Sequence, residues 1–543
     1  MHTNTITDLG GEFMAVRKEG DVLQSTDSPT VLKKEMTWKD AFWLASGVPA
    51  LVLFSIGAIA ATVGNLSWLV WTVSILIGLT QAFLFAEIAG MYPNKSGGAS
   101  VYGAMAWVKY SKVLSAISIW SNWIAWTPVL ALGTKLASGF VLTTFFPTAA
   151  ITTWGFTLLD LGFIRPDLTV RFDFAFVLAL AFLFIVYAIQ NLGAVNAARI
   201  QRIIAVIALI PLLIVGIVPL FTQGINVENI IPSLPTGISW DEAGWTLLFG
   251  GLFLAAWSTY AFETSICYTS EFKDPKKDTV KAIMFSGLLC LAVFTIVPFS
   301  FQNALGLAGL LDPDIASGMG VGTAMAKMVG GGVVIGTIIV LLLILSTILS
   351  IMTSMGGSSR TLYQGSVDGW LPKFMSRVNN NGAPTGAMWT NLVFNIILLS
   401  LSDYTFILAI SNVNYIILNF FNLSSGWIHR VDRPNWPRPF RVPTWLIGIN
   451  GVLAFVNVAF LGLGAIVWGP GTLISGLVVS LFIIPVFLYR HYVTDKGQFP
   501  ENAAGDELDA THYKKKAGIL PYVAVVAAIG IIIVTSQIAV FNP

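Results

Sequence analysis

The sequence predicts an all-α polytopic membrane protein, a helical bundle of about 13 transmembrane spans. Three observations lead there. Of the 543 residues only 11% are charged and 55% are hydrophobic, whereas a soluble domain carries about 25% charged residues. The apolar residues fall into runs, most of them near the roughly 20 residues a helix needs to cross a bilayer. Between those runs the basic residues keep to alternate connections, as the positive-inside rule requires.

Taken in order, residues 1–36 are polar and mixed in charge. They lack the apolar core of a cleavable signal peptide and read as a cytosolic tail, partly disordered. Ten candidate spans fall within 37–443. These lie near 40–62 (span 1), 66–90 (span 2), 113–141 (span 3), 172–190 (span 4), 202–222 (span 5), 244–268 (span 6), 281–304 (span 7), 329–356 (span 8), 386–401 (span 9) and 405–427 (span 10). Span 9 is short, and span 8 is long enough to need tilt or a kink. Residues 444–489 hold spans 11 (445–467) and 12 (472–489), 490–516 form a charged cytosolic linker, and 517–543 carry span 13 (517–540). With the N-terminus in the cytoplasm, all but four of the 30 Lys and Arg residues fall on cytosolic segments. The exceptions are Arg165, Arg171 and Lys327 outside, and Lys135 within span 3. A register error of one span would scramble that bias. The layout predicts a cell-membrane protein with its C-terminus outside.

The same composition excludes several function classes. A net charge of +2 with no basic patch of interleaved aromatics points away from nucleic acid. Cys267 and Cys290 are too few for a disulfide framework or a zinc spacing. His2, His429, His491 and His512 all fall outside the spans. No nucleophile–base pair, phosphate loop or metal-ligand cluster is visible, so neither an enzyme, a cofactor, a metal nor ATP-driven transport is expected.

The chemistry concentrates in two places. Residues 257–283 begin apolar, turn polar at Ser258, Thr259 and Tyr260, place Glu263 among hydrophobic residues, and leave through a charged loop. A charged side chain at the bilayer centre costs about 2.5–3.5 kcal/mol on insertion scales, which makes an intramembrane carboxylate a functional-site hypothesis by default. Five spans earlier, Ser46-Gly47-Val48-Pro49 interrupts span 1. Pro49 removes a backbone donor and disfavours helix at Val48. Paired irregularities of this kind in corresponding spans of two halves mark the midplane site of many transporters built from inverted repeats, although Pro and Gly also occur in ordinary kinked spans.

Four motifs then appear in order. Span 2 ends in Ala86-Glu87-Ile88, Tyr92-Pro93, Gly97-Gly98 and Tyr102. Span 6 and its loop carry Trp257, Ala261 and Glu263, then Glu271, Asp274-Pro275 and Ala282-Ile283. Span 8 exits through Ser359-Arg360, Tyr363, Asp368-Gly369-Trp370-Leu371-Pro372 and, beyond, Pro384. Span 10 is followed by Arg438-Pro439-Phe440-Arg441-Val442-Pro443. Over residues 37–443 the chain resembles permeases of the amino acid–polyamine–organocation superfamily. That resemblance implies a LeuT-like fold of five-plus-five inverted repeats, and secondary transport of an amino acid or related amine by alternating access. Proton symport is favoured, with amine or amino acid exchange as the alternative and a non-transporting sensor as the reading from another class. The implied partners are a small-molecule substrate, H+ or Na+, and membrane lipid.

The resemblance also implies the site. Ser46, Gly47, Val48, Pro49 and Ala50 of span 1 and Trp257, Ser258, Tyr260 and Ala261 of span 6 line it, with Asn122 and Trp126 of span 3 placed by spacing. Glu263 is the candidate proton-linked carboxylate, or else a hydrogen-bonded structural glutamate. Ser346, Thr347 and Ser350 of span 8 are candidate oxygen ligands for an ion, or packing hydroxyls. Lys135 is either a snorkelling side chain or a substitute charge partner. Asn412, Asn414, Asn419 and Asn422 stud span 10 as interhelix bonders or pathway groups. The chain departs from the family pattern in three places. Leu51 and Leu53 stand where small residues expose backbone N–H groups to a substrate carboxylate. Ala261 replaces a glycine, and Ala208 stands where some members carry a coupling lysine in span 5.

Overall fold

In a lipid interior every backbone N–H and C=O must find a partner within the protein, so long apolar runs become helices. The computed structural model describes residues 31–312, 315, 320–500 and 516–540. The tail up to residue 30 and the 501–515 part of the linker lie outside the described residues. Among the described residues, ten helical segments are long and apolar enough to cross a membrane, against thirteen expected spans. The difference has three sources. Spans 4 and 9 are shorter apolar helices, Phe174–Gln190 and Thr385–Leu399. Span 1 is divided into a helix Trp38–Leu44, a 3-10 segment Val48–Phe54 and a helix Ile56–Val63. Its last piece turns into span 2 at Gly64, whose φ of 63° suits glycine.

Span 8 is one continuous helix, Val333–Val367, of 35 residues. At 1.5 Å per residue it runs on the order of 50 Å, well beyond the roughly 30 Å hydrocarbon core. It serves as the post against which spans 1, 3, 5 and 6 pack.

Three local features add detail to the sequence-level layout. In the connection after span 3, Gly155–Asp160 (β1) and Thr169–Asp173 (β2) pair antiparallel, an exception to the all-α reading. β1 is exposed along its whole length. No buried face therefore imposes the period-two pattern by which a strand is recognised. Helical structure of span 12 continues to Thr494, so the linker starts later than residue 490. Arg490 is buried there because it bonds Asp495 at 2.6 Å and the Leu371 carbonyl at 2.7 Å. Finally, residues 31–36 are docked. Met36 donates to the Glu271 carbonyl at 2.9 Å and accepts from the Lys273 N–H at 2.8 Å, adding a bridge beside Phe272.

The four motifs converge at the basic end of the bundle. Glu271, at the foot of span 6, receives two bonds from Arg360 of span 8 at 2.5 and 3.0 Å. The guanidinium lies 4.3 Å from the Tyr268 ring centroid. Lys95 meets Asp368 at 2.8 Å. Glu87 of span 2 takes Arg430 at 2.6 and 2.7 Å, Arg438 at 3.0 Å and the Val442 N–H at 2.8 Å. Each pair joins segments far apart in the chain, so the motifs describe one surface of contacts.

The Glu271 and Arg360 side chains are only 2% and 3% exposed. Breaking one side of a buried pair strands a charge and costs about 3–5 kcal/mol. Glu271→Gln is therefore expected to lower the melting temperature of the purified protein sharply. The double change Glu271→Gln, Arg360→Met should recover much of the loss, and a single mutant that melts like the parent would refute this assignment.

Candidate functional site

The candidate residues cluster where spans 1 and 6 lose their α-helical form. In span 1 the helix ends at Leu44, and the 3-10 segment starts at Val48 with Pro49 at its second position. Ser46, Gly47, Val48, Pro49 and Ala50 are all buried. The freed backbone groups are taken by neighbouring spans. Thr353 Oγ1 of span 8 donates to the Leu44 carbonyl at 2.7 Å and accepts from the Gly47 N–H at 3.2 Å. Ser350 Oγ donates to the Gly47 carbonyl at 2.8 Å. Gln201 Nε2 of span 5 reaches the Leu44 carbonyl at 3.3 Å and Thr353 at 3.1 Å. The remaining N–H groups turn inward, from Ser46 to the Trp43 carbonyl at 3.1 Å and from Val48 to the Ala45 carbonyl at 3.0 Å. Ser46 Oγ also bonds the Trp43 carbonyl, at 2.6 Å. Gly47 is required by proximity, since a Cβ there would lie 2.5 Å from the Leu349 carbonyl oxygen and 2.6 Å from the Ser350 Cα.

In span 6 the α-helix Glu242–Thr259 gives way to a 3-10 segment, Ala261–Glu271. Eleven residues is long for this form, which seldom exceeds 3–4 residues and marks hinges when it does. Trp257 at the end of the α-helix is fully buried. Its indole N–H donates to Ser411 Oγ of span 10 at 2.9 Å and lies 3.3 Å from the Ala125 carbonyl of span 3. Ser411 closes the triangle on Ala125 at 2.7 Å. The Phe54 ring, at the end of the span-1 3-10 segment, stands 6.1 Å from Trp257.

Glu263 is 2% exposed and lies two residues into the span-6 segment. Its Oε1 accepts from the Tyr415 hydroxyl of span 10 at 3.2 Å, and Oε2 has no hydrogen-bond partner. Trp126 packs edge-on against Tyr415 at 5.4 Å and also neighbours Glu263. Tyr260 stands 6.1 Å from Tyr415 on the other side. The result is a buried carboxylate on the interrupted part of span 6, against Tyr415 and Trp126. Such an arrangement can hold a proton, or a cation against the carboxylate and the ring faces.

The structure thus brings Ser350 to the Ser46–Ala50 segment at Gly47, sets Phe54 at the end of that 3-10 stretch against Trp257, and places Glu263 against Tyr415 and Trp126. The other sequence-level candidates bond elsewhere. Asn122 accepts from Thr361 at 3.2 Å, lower on span 8. Ser258 bonds its own helix at Ala255, 3.3 Å away. The Tyr260 hydroxyl turns to Asn457 of span 11 at 3.3 Å. Thr347 bonds Leu343 of its own helix at 2.8 Å, and Ser346 Oγ is buried without a partner. Lys135 bonds the Leu401 carbonyl at 2.9 Å, near Asp173 and Asp403 and away from Glu263. Of the span-10 amides, Asn412 donates to the Phe253 carbonyl and Asn414 to Gly476 at 3.3 Å, while Asn419 and Asn422 have no side-chain partners. Thr353, Ser411 and Tyr415 escape sequence reasoning. Thr353 had a usable signal, because it follows Ser350 by three residues and shares its helix face.

Comparisons with known proteins agree with one another. The family described as amino acid permease matches residues 36–489. The branched-chain amino acid permease BcaP of Bacillus subtilis is 24% identical over 456 residues, covering 80% of this chain and 89% of that protein. The polyamine transporter PUT1 of Oryza sativa subsp. japonica is 23% identical, covering 79% and 75%. An arginine/ornithine antiporter of Pseudomonas aeruginosa is 22% identical, covering 74% and 82%.

The bonding around the span-1 break separates two threonines of similar burial. Thr353→Val strands the Gly47 N–H and weakens the hold on Leu44, at a cost of about 1–3 kcal/mol for a buried unsatisfied group. Thr347→Val removes only a bond within one helix. Thermal melts of the purified variants should rank Thr353→Val clearly below Thr347→Val, and equal melts would contradict the bonding described.

Proposed function

The chain belongs to the amino acid permease family, and on that premise we propose that it is a secondary active transporter of an amino acid or related small organic amine, coupled to protons. The observation that carries the reading is the pair of interrupted spans with the buried Glu263 on the second. Cargo would bind between the Ser46–Ala50 segment and the Trp257–Ala261 segment. Alternating access would then move spans 1 and 6 against the spans that hold Trp257, namely 3 and 10. Trp257 acts as the closing group, because its indole bonds tie span 6 to both. The span-6 segment supplies the hinge.

Glu263 is the proton-linked group in this scheme. A buried carboxylate with one free oxygen is costly when charged and unpaired, so it takes up a proton or a positive charge whenever the site closes. The transport core is residues 37–443, in a cell membrane, with the Glu271–Arg360 end facing the cytoplasm.

A second reading, exchange of amines that lack a carboxylate, is favoured by a specific observation. The N–H groups of Ser46, Gly47 and Val48 are all bonded internally. Leu51 and Leu53 add bulk in the adjoining turn. Both features reduce what span 1 offers a carboxylate.

Reconstitution into proteoliposomes with a panel of acidic, neutral and cationic amino acids and polyamines tests the proposal. Saturable uptake by at least one class is expected, faster under an inward proton gradient and reduced by an uncoupler. Uptake that ignores both would sink proton coupling. A sodium gradient driving uptake in its place would shift the coupling role toward the span-8 hydroxyls. Absence of saturable counterflow for every member would leave the sensor reading.

A further inference from the structure

We infer that Glu263 ties the number of co-transported protons to the net charge of the cargo: a zwitterion of net charge zero moves with one proton, and a cargo of net charge +1 moves with none. The inference rests on the transporter reading above and concerns the same site.

Glu263 has one oxygen on Tyr415 and one without a partner, at 2% exposure. Titratable groups facing it are Tyr415 from span 10 and Cys267 from its own segment. Span 3 contributes Trp126, which does not ionise. The other charged groups on elements packed against this segment are committed elsewhere. Arg360 of span 8 is held by Glu271, Glu87 of span 2 by Arg430 and Arg438, and Lys95 by Asp368. Asp40 of span 1 caps its own helix at Thr37, and Asp278 and Lys281 of span 7 sit at the basic end. No ion pair to Glu263 exists among the described residues.

Closing the site around cargo removes this carboxylate from water together with whatever the cargo brings. An isolated charge in such a place is unfavourable, and a compensated one much less so. Two loaded states are neutral overall. In one, a proton from the entry side sits on Glu263 Oε2 beside a neutral zwitterion and leaves on the far side as the cargo does. In the other, a monocation faces the ionised carboxylate, with Trp126 and Tyr415 beside it. Both move the same net charge per cycle. They differ only in the proton.

The test measures proton flux and cargo flux together in proteoliposomes containing the full chain, with leucine as the zwitterion and arginine as the monocation. One proton per leucine and none per arginine are expected, while an imposed membrane potential drives both. The same proton count for the two probes, a proton-free leucine cycle or a proton-coupled arginine cycle would overturn the inference while leaving transport intact. If only one of the two is carried, its own proton count decides. If neither is, and no other panel member is carried, the transporter reading fails and this inference falls with it. Glu263→Gln is a second check, since it mimics the protonated carboxylate. Arginine uptake should drop by about thirtyfold or more, the effect of truncating one side of a buried charge pair. Residual leucine uptake should lose its response to the pH gradient, and Glu263→Asp should restore both traits in part. Melting temperature and size-exclusion profile control for folding. Unchanged arginine uptake in a folded Glu263→Gln protein contradicts the charge-compensation role.

Discussion

The constraint on which this structure depends is that backbone polar groups freed inside a membrane must be bonded by the protein itself. Spans 1 and 6 are both interrupted, and each interruption exposes groups that an unbroken helix would satisfy internally. At span 1 the burden falls on Thr353, Ser350 and Gln201, which bring spans 8 and 5 against Leu44 and Gly47. Gly47 can be nothing larger, because span 8 approaches so closely to supply those bonds. At span 6 the tight 3-10 segment absorbs part of the burden, and Trp257 fixes its start to spans 3 and 10. Packing, hydrogen bonding and the location of the site are consequences of the same two breaks.

The basic end shows a different solution to burying polar groups. Glu271, Glu87 and Asp368 are nearly enclosed, yet each faces at least one guanidinium or ammonium. Such pairs contribute little net stability compared with apolar packing, because desolvation offsets much of the attraction. Their value lies in register. Arg360 joins the foot of span 6 to span 8, and Arg430 and Arg438 join the segment after span 10 to span 2. Conformational change at this end has to break or rotate about these joints. The docked Met36 strand, bonded on both sides of Phe272, adds a further connection at the foot of span 6.

Glu263 stands between these two regimes. Unlike the carboxylates at the basic end it faces no cation among the described residues, and unlike the break carbonyls it has a polar atom left over. Native proteins leave few buried polar atoms unpaired, and those that remain call for an explanation. Here the oxygen lies on the stretch of span 6 where the α-helix has given way to a 3-10 segment.

Much of this was legible in the sequence. Low charge, apolar runs and the alternation of Lys and Arg determine the class. Gly47–Pro49 and Glu263 stand out from their apolar surroundings, and the four motifs mark the end of the bundle where ion pairs gather. Helical periodicity tells which residues share a face. It does not tell which neighbour that face meets, and so the roles of Thr353, Ser411 and Tyr415 were hidden. The Thr353–Leu44 bond closes a separation of 309 residues, and no local pattern records it. The β1–β2 hairpin was hidden for the opposite reason, since an exposed strand buries no face and leaves no period. Sequence by itself determined that the chain crosses a membrane and where its helices are interrupted. Only tertiary structure decided which groups those interruptions bond and which carboxylate they leave unpaired, because hydrogen bonds depend on distances that arise only once the spans are packed.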